Sequence, residues 1–164
     1  MALYEWLVWG HIISIFGFLV SHGGSSMAVF RIKKTAEPEK LKALLELSRF
    51  SIAFSYVFIL LVLGTGISLA FLGGYWGQLW VWTAIGVGFL TMGLMYPLGT
   101  GPFTKLRSAL GLPTNQRGKK QEPGPVADPQ QIEALARSTR PVELSIVGAV
   151  GITVIAWLMV FKPF

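Results

Sequence analysis

The chain has 164 residues, is 52 % apolar, carries a formal net charge of +6 and contains no cysteine. The lack of cysteine excludes disulfides, thiolate metal sites and cysteine nucleophiles. Charged residues make up only 13 % of the chain, which leaves no room for a separate soluble domain. We therefore expect a single domain, 1–164, most of which lies in a lipid bilayer.

Four long apolar segments divide the sequence, at 6–30, 52–72, 79–98 and 142–161. About 20 apolar residues cross the roughly 30 Å bilayer core as a helix, so each segment predicts one transmembrane helix. Thirteen of the 14 Lys and Arg residues fall in the loops 31–49 and 99–141. Because basic loops remain on the cytoplasmic side, we expect both of these loops inside and both termini outside. The prediction is a multi-pass protein of the bacterial inner membrane.

The fold class predicted from this pattern is all-α, a four-helix transmembrane bundle whose two cytoplasmic loops carry short amphipathic helices. The second helix is expected to begin near Pro38, since proline suits the first turn of a helix. It either continues unbroken to residue 72 or breaks near Arg49, with 38–48 lying in the headgroups. A tight turn at 73–78 then joins the second and third spans as an antiparallel hairpin.

The third span is expected to end near Pro97, and 102–110 is predicted to form a separate short amphipathic helix. A flexible cytoplasmic linker follows at about 111–128, rich in Pro, Gly, Gln and Lys. Asp128-Pro129 opens a second amphipathic stretch. With this topology the tryptophans form one belt at the outer face; they are Trp6, Trp9, Trp76, Trp80, Trp82 and Trp157.

Small residues recur at intervals of four in three of the spans, a pattern typical of close helix packing in lipid. They are Gly17, Ser21 and Ser25 in the first span, Ala84 and Gly88 in the third, and Ser145, Ala149 and Thr153 in the fourth. We interpret them as packing seams. The same pattern also suits contact with a partner subunit, and sequence does not distinguish the two.

The two histidines, His11 and His22, both lie in the first span, where ionisable groups are functional candidates by default. Their separation of eleven residues places them within about 20° of one another and about 16 Å apart along a helix. Three interpretations remain open. In the first, each ring hydrogen-bonds to a hydroxyl or a carbonyl and has a structural role. In the second the histidines ligate haem, and in the third they bind a metal or transfer protons. Methionine is the available second ligand, with Met159 near the level of His11 and Met92 or Met95 near that of His22.

The motif Trp9-Gly10-His11-Ile12-Ile13, followed by His22-Gly23-Gly24, resembles the first helix of small bacterial membrane proteins around the CopD-type copper-resistance proteins and HemJ-type protoporphyrinogen oxidases. The terminus at 157–163 is similar to that of an uncharacterised four-helix family of integral membrane proteins. The resemblance implies that His11 ligates haem b. HemJ-type proteins also use a lysine on a later helix, and this chain has no lysine in the middle of its later spans.

The sequence contains no pair of intramembrane carboxylates, no phosphate-cradling loop and no Ser/His/Asp set, so we do not predict an enzyme. The first functional hypothesis is an accessory or structural subunit of a larger membrane complex. The alternatives are a haem or redox protein that uses His11 and His22, and a small metal or solute permease. The expected partners are anionic headgroups at the cytoplasmic face and other membrane subunits or a second copy. Nucleic acid is not expected.

Overall fold

The structure, a computed structural model, describes residues 3–35, 37–116, 119–138 and 140–164. In chain order its elements are α1 (Leu3–Ile32), α2 (Pro38–Leu72), a 3-10 turn (Tyr75–Gly77), α3 (Leu79–Ala109), β1 (Thr114–Gln116), β2 (Lys119–Gln121), α4 (Pro129–Ala136) and α5 (Arg140–Phe161). Helices α1, α2, α3 and α5 are long and apolar enough to cross a membrane. The chain is therefore an all-α, multi-pass membrane protein by helix length and composition, as predicted.

Helix α2 begins at Pro38 and runs without interruption for 35 residues, a length of roughly 50 Å. The predicted start is confirmed, and the alternative with a break near Arg49 is wrong. Leu41 and Leu45, in the first turns, are 0 % and 2 % exposed. Their burial holds this end of the helix against neighbouring elements instead of leaving it free to lie in the headgroups.

Helix α3 contains Pro97 and Pro102 and continues to Ala109. The prediction of an end near Pro97 and of a separate helix at 102–110 is therefore wrong. Each proline removes one backbone hydrogen bond from the helix, which costs free energy. Leu106 is buried among residues of other helices, and that burial offsets the loss and keeps the last turns helical.

The predicted linker at 111–128 contains a small antiparallel ribbon, in which β1 pairs with β2 from Thr114↔Gln121 to Gln116↔Lys119. Residues 117 and 118, which connect the two strands in the sequence, lie outside the described residues. Further along, the backbone N–H of Ala127 donates to the carbonyl oxygen of Ala109 at 2.8 Å. The segment predicted to be a linker is therefore held by backbone hydrogen bonds, both between its own strands and between Ala127 and α3. The amphipathic stretch that follows Asp128 is confirmed as α4.

The long helices form two pairs. Helix α1 packs along α2 and α3 packs along α5, whereas contact between the two pairs is sparse. Two apolar clusters join the pairs at opposite ends of the bundle. The basic-end core consists of Ile32, Leu41, Leu45, Leu106, Ala109, Leu110, Ile132 and Ala136. The aromatic-end core consists of Ala70, Trp80 and Val81, with Tyr75, Trp76, Ile85 and Met159 packed against them.

The two helices of each pair approach closely because small residues lie between them, as expected in lipid, where the hydrophobic effect does not drive helix association. Gly17 faces the ring of Phe58 between α1 and α2, and the hydroxyls of Ser25 and Ser48 hydrogen-bond at 2.8 Å. Gly88 faces Ile155 between α3 and α5. The predicted seams on α1 and α3 are thus confirmed as packing contacts.

The seam predicted on the last span is wrong. Ala149 and Thr153 are exposed, whereas Gly148, Gly151 and Leu158 are buried. Gly151 lies against Thr91 of α3. The spacing of three residues between the two glycines, followed by a leucine seven residues later, defines the face of α5 that packs on α3.

Candidate functional site

His11 is held between α1 and α2 by a hydrogen bond of 2.9 Å between its Nδ1 and the hydroxyl oxygen of Thr65. That hydroxyl also lies 2.6 Å from the carbonyl oxygen of Leu61, to which it donates. A hydroxyl has only one proton, so Thr65 must accept from His11. We therefore assign the Nδ1–H tautomer to the neutral ring, which leaves the lone pair on Nε2.

The His11 ring also docks against the backbone of α2 at Gly66. A Cβ built at Gly66 would lie 3.1 Å from Cε1 of His11. The next ring atom is Nδ1, at 3.7 Å from the same position, so α2 packs against the Nδ1 side of the ring. This side of His11 is that of a packed, hydrogen-bonded histidine.

Met159, the predicted second ligand at the level of His11, packs in the aromatic-end core against residues such as Trp80. The described contacts of His11 run instead to Thr65 and Gly66 of α2.

His22 lies at a point where α1, α3 and α5 meet. A Cβ built at Gly148 of α5 would be 3.1 Å from Nε2 of His22 and 3.5 Å from Sδ of Met95, on α3. The imidazole nitrogen and the thioether sulfur thus converge on one glycine. The other face of the ring stacks on Phe18, with centroids 5.5 Å apart and planes at 14°.

Helix α1 carries four serines near the face of the two histidines, and most of them are hydrogen-bonded within the helix; they are Ser14, Ser21, Ser25 and Ser26. The hydroxyls of Ser14 and Ser21 each donate at 2.7 Å to the carbonyl oxygen four residues earlier. Ser26 donates in the same way to the carbonyl of His22 at 3.2 Å. Of the four, Ser25 is the one that reaches another helix, through Ser48. Ser25 therefore supports the α1–α2 contact, and the other three hydroxyls are bonded to the backbone of their own helix.

No group of three or more His, Asp or Glu side chains within the described ranges is arranged to hold a metal ion. The arrangement with ligand chemistry is the pair His22 and Met95. An open groove of about 290 Å³ also lies at the basic end, between α3 and the junction of α4 with α5. Sequence reasoning missed this groove, although Pro97, Gly101 and Pro102 signal a stretch of α3 with little side-chain bulk.

Comparison of the chain with protein-family models, with curated proteins and with solved structures finds no match. The likeness to the CopD-type and HemJ-type proteins therefore rests on residues 9–13 and 22–24, and the likeness to the uncharacterised four-helix family rests on residues 157–163.

Proposed function

We propose that the chain is a non-enzymatic accessory subunit of a larger membrane assembly, formed with other membrane proteins or with a second copy of itself. We place it in a bacterial inner membrane with the basic end in the cytoplasm and both termini outside. The orientation is supported by the two basic loops, which hold 13 of the 14 Lys and Arg residues, because positive charge is retained on the cytoplasmic side.

The observation that carries this proposal is an outward-facing pair of glycines on α3. Gly86 and Gly93 are exposed, and a Cβ built at either position would meet nothing within 4 Å. Seven residues apart, they lie within about 20° of each other on the helix surface. Small residues on one face let a second helix approach closely in lipid, where packing and not water exclusion drives association.

The internal polar groups support a structural role as well. His11 bonds to Thr65 across the α1–α2 interface, and Ser25 bonds to Ser48 in the same interface. Interhelical hydrogen bonds of this kind contribute about 0.6 kcal/mol on average to membrane protein stability. They fit a protein whose polar residues hold its own helices together.

The test replaces both glycines of this face by leucine. In mild detergent extracts of native membranes, the wild-type chain is expected to migrate in a native gel as a species larger than one chain. The Gly86→Leu/Gly93→Leu variant is expected to migrate as a single chain that is folded and no less stable than the wild-type chain, because the added side chains point away from the bundle. The matched control is Gly64→Leu on α2, where a Cβ also meets nothing within 4 Å.

The proposal fails if the wild-type chain already migrates alone and cross-linking in intact membranes traps only single chains. It also fails if Gly64→Leu disrupts the assembly as much as the substitutions on α3, since the loss would then not belong to the α3 face.

A second candidate function, binding of Cu(I), is favoured by the convergence of His22 and Met95 on Gly148. A thioether and an imidazole nitrogen are ligands that suit this soft ion. The donors come from α1 and α3, so an ion held between them would tie the two helix pairs together near the middle of the bundle.

Titration of the detergent-purified protein with Cu(I), in competition with a coloured chelator, tests this candidate. One ion per chain is expected for the wild type and for Met92→Leu, the exposed neighbour, with affinity lost in Met95→Leu. Equal affinity in all three proteins would exclude a site at this position. An absorbance spectrum of the same preparation before and after dithionite tests the haem alternative, since a Soret band lost in His11→Ala would place haem at His11.

A further inference from the structure

The groove at the basic end is bounded by two helix surfaces. Pro97, Gly101 and Lys105 line it from α3, at intervals of four residues that place them on one face. Ser138 and Arg140 line it from the segment between α4 and α5. The groove exists because this face of α3 has little side-chain bulk at Gly101, where a Cβ would meet nothing within 4 Å.

Its charge is of one sign. Lys105 and Arg140 line the groove, and no carboxylate is among the described residues that do so. Neither cation forms an ion pair within the described part of the chain, in contrast to neighbouring Arg107 and Arg137, which pair with Glu46 and Glu133 at 2.7 Å. Two cations from separate elements, facing one cleft without a counter-charge, form a site for an anion.

The position of the groove selects the kind of anion. Pro97 lies at the end of the apolar part of α3, and the exposed side chain of Tyr96 precedes it. Pro102 and Leu135 add apolar surface to the same groove. An occupant therefore meets cationic side chains and hydrocarbon together, at the level where a bilayer's headgroups lie.

We propose that this groove binds the phosphodiester headgroup of an anionic phospholipid, with the phosphate between Lys105 and Arg140 and an acyl chain along Pro97 and Leu135. The bound lipid lies between α3 and the α4–α5 junction and so bridges the pair α3–α5 to the segment that closes the basic-end core. The groove begins one turn beyond Gly93 on α3, and the proposal rests on the lining and charge of the groove and not on the proposed assembly.

The test is a native mass spectrometry titration of delipidated protein in a non-ionic detergent with phosphatidylglycerol, with phosphatidylcholine of the same acyl chains and with inorganic phosphate. Wild type is expected to retain one phosphatidylglycerol molecule in preference to phosphatidylcholine. Lys105→Gln/Arg140→Gln is expected to weaken that binding about tenfold or more, since each cation near a headgroup contributes on the order of 1 kcal/mol. The conservative Lys105→Arg/Arg140→Lys is expected to retain it.

Two further variants distinguish binding of the lipid in the groove from its attraction by the general positive charge of the basic end. Gly101→Leu keeps both cations but fills the groove, and it is expected to weaken phosphatidylglycerol binding. Arg31→Gln/Lys34→Gln removes one Arg and one Lys from the basic end outside the groove, and it is expected to change the affinity by less than about twofold. All variants are first checked for an unchanged melting temperature.

Three results would overturn the proposal. Equal weakening in Arg31→Gln/Lys34→Gln would show that general charge attracts the lipid. Unaltered binding in Gly101→Leu would place the lipid elsewhere. Binding of inorganic phosphate with the same dependence on Lys105 and Arg140 would make the groove a phosphate ion site and not a lipid site.

Discussion

Replacing Gly151 by leucine is expected to lower the free energy of unfolding by about 3 kcal/mol, because it forces α3 and α5 apart. A Cβ at this position would lie 2.6 Å from Cγ2 and 3.0 Å from Cβ of Thr91. Thr91 cannot move aside easily, since it is β-branched and its hydroxyl donates to the carbonyl of Val87 at 2.7 Å. Equilibrium unfolding in mixed micelles measures the loss.

Gly86→Leu is the matched control for this substitution. It places the same side chain on α3 where a Cβ meets nothing within 4 Å, and the greater helix propensity of leucine favours the helix by up to about 1 kcal/mol. The isolated Gly86→Leu chain is therefore expected to be at least as stable as the wild type. If Gly151→Leu unfolded at the same denaturant fraction as Gly86→Leu, the close α3–α5 approach would be refuted.

Replacing Arg107 by methionine is expected to cost roughly 2 kcal/mol of stability, because it leaves one end of the basic-end core without its cross-link. The Arg107 side chain is only 11 % exposed and pairs with Glu46 of α2 at 2.7 Å, while Glu46 itself is 44 % exposed. The guanidinium also donates to the carbonyl of Pro113, just beyond α3. Methionine keeps most of the apolar stem, so the loss reports mainly the polar contacts.

The same substitution at Arg137 provides the comparison, because that guanidinium pairs with Glu133 but is 72 % exposed. Its expected effect is below about 0.5 kcal/mol. Unfolding in mixed micelles at low and high salt distinguishes the two. The Arg107 effect should persist in part in salt, because its guanidinium is only 11 % exposed and also donates to the uncharged carbonyl of Pro113. A loss that vanished in high salt would contradict the role given to this contact.

The four apolar helices followed from sequence because the bilayer imposes one strong rule, a long uncharged helix, on every span. The continuation of α3 past Pro97 did not follow. Proline is a local signal against helix, whereas the force that keeps 98–109 helical is the burial of Leu106 among residues far away in the chain. The ribbon formed by β1 and β2 could not be predicted from the sequence either, since its residues do not alternate between apolar and polar.

The site was predictable only in part. Sequence placed His11 and His22 on one face of α1 and put either Met92 or Met95 at the level of His22, because helix geometry sets both relations. It did not show that Thr65 hydrogen-bonds to the His11 ring or that Gly148 leaves space for His22. The periodicity of a helix predicts which of its faces is buried, but it does not predict which residues of other helices pack there. The same limit misassigned the packing face of α5 to Ala149 and Thr153.

The basic-end core has a consequence for the order in which the chain assembles during synthesis. Helices α1 and α2 are adjacent in sequence and can pair as soon as both have entered the membrane. The core, however, joins Ile32 to Ile132 and Ala136, so it cannot close until the ribosome has released α4. Until then Leu41 and Leu106 lack part of their cover, and the half-made protein presents an apolar surface at its basic end.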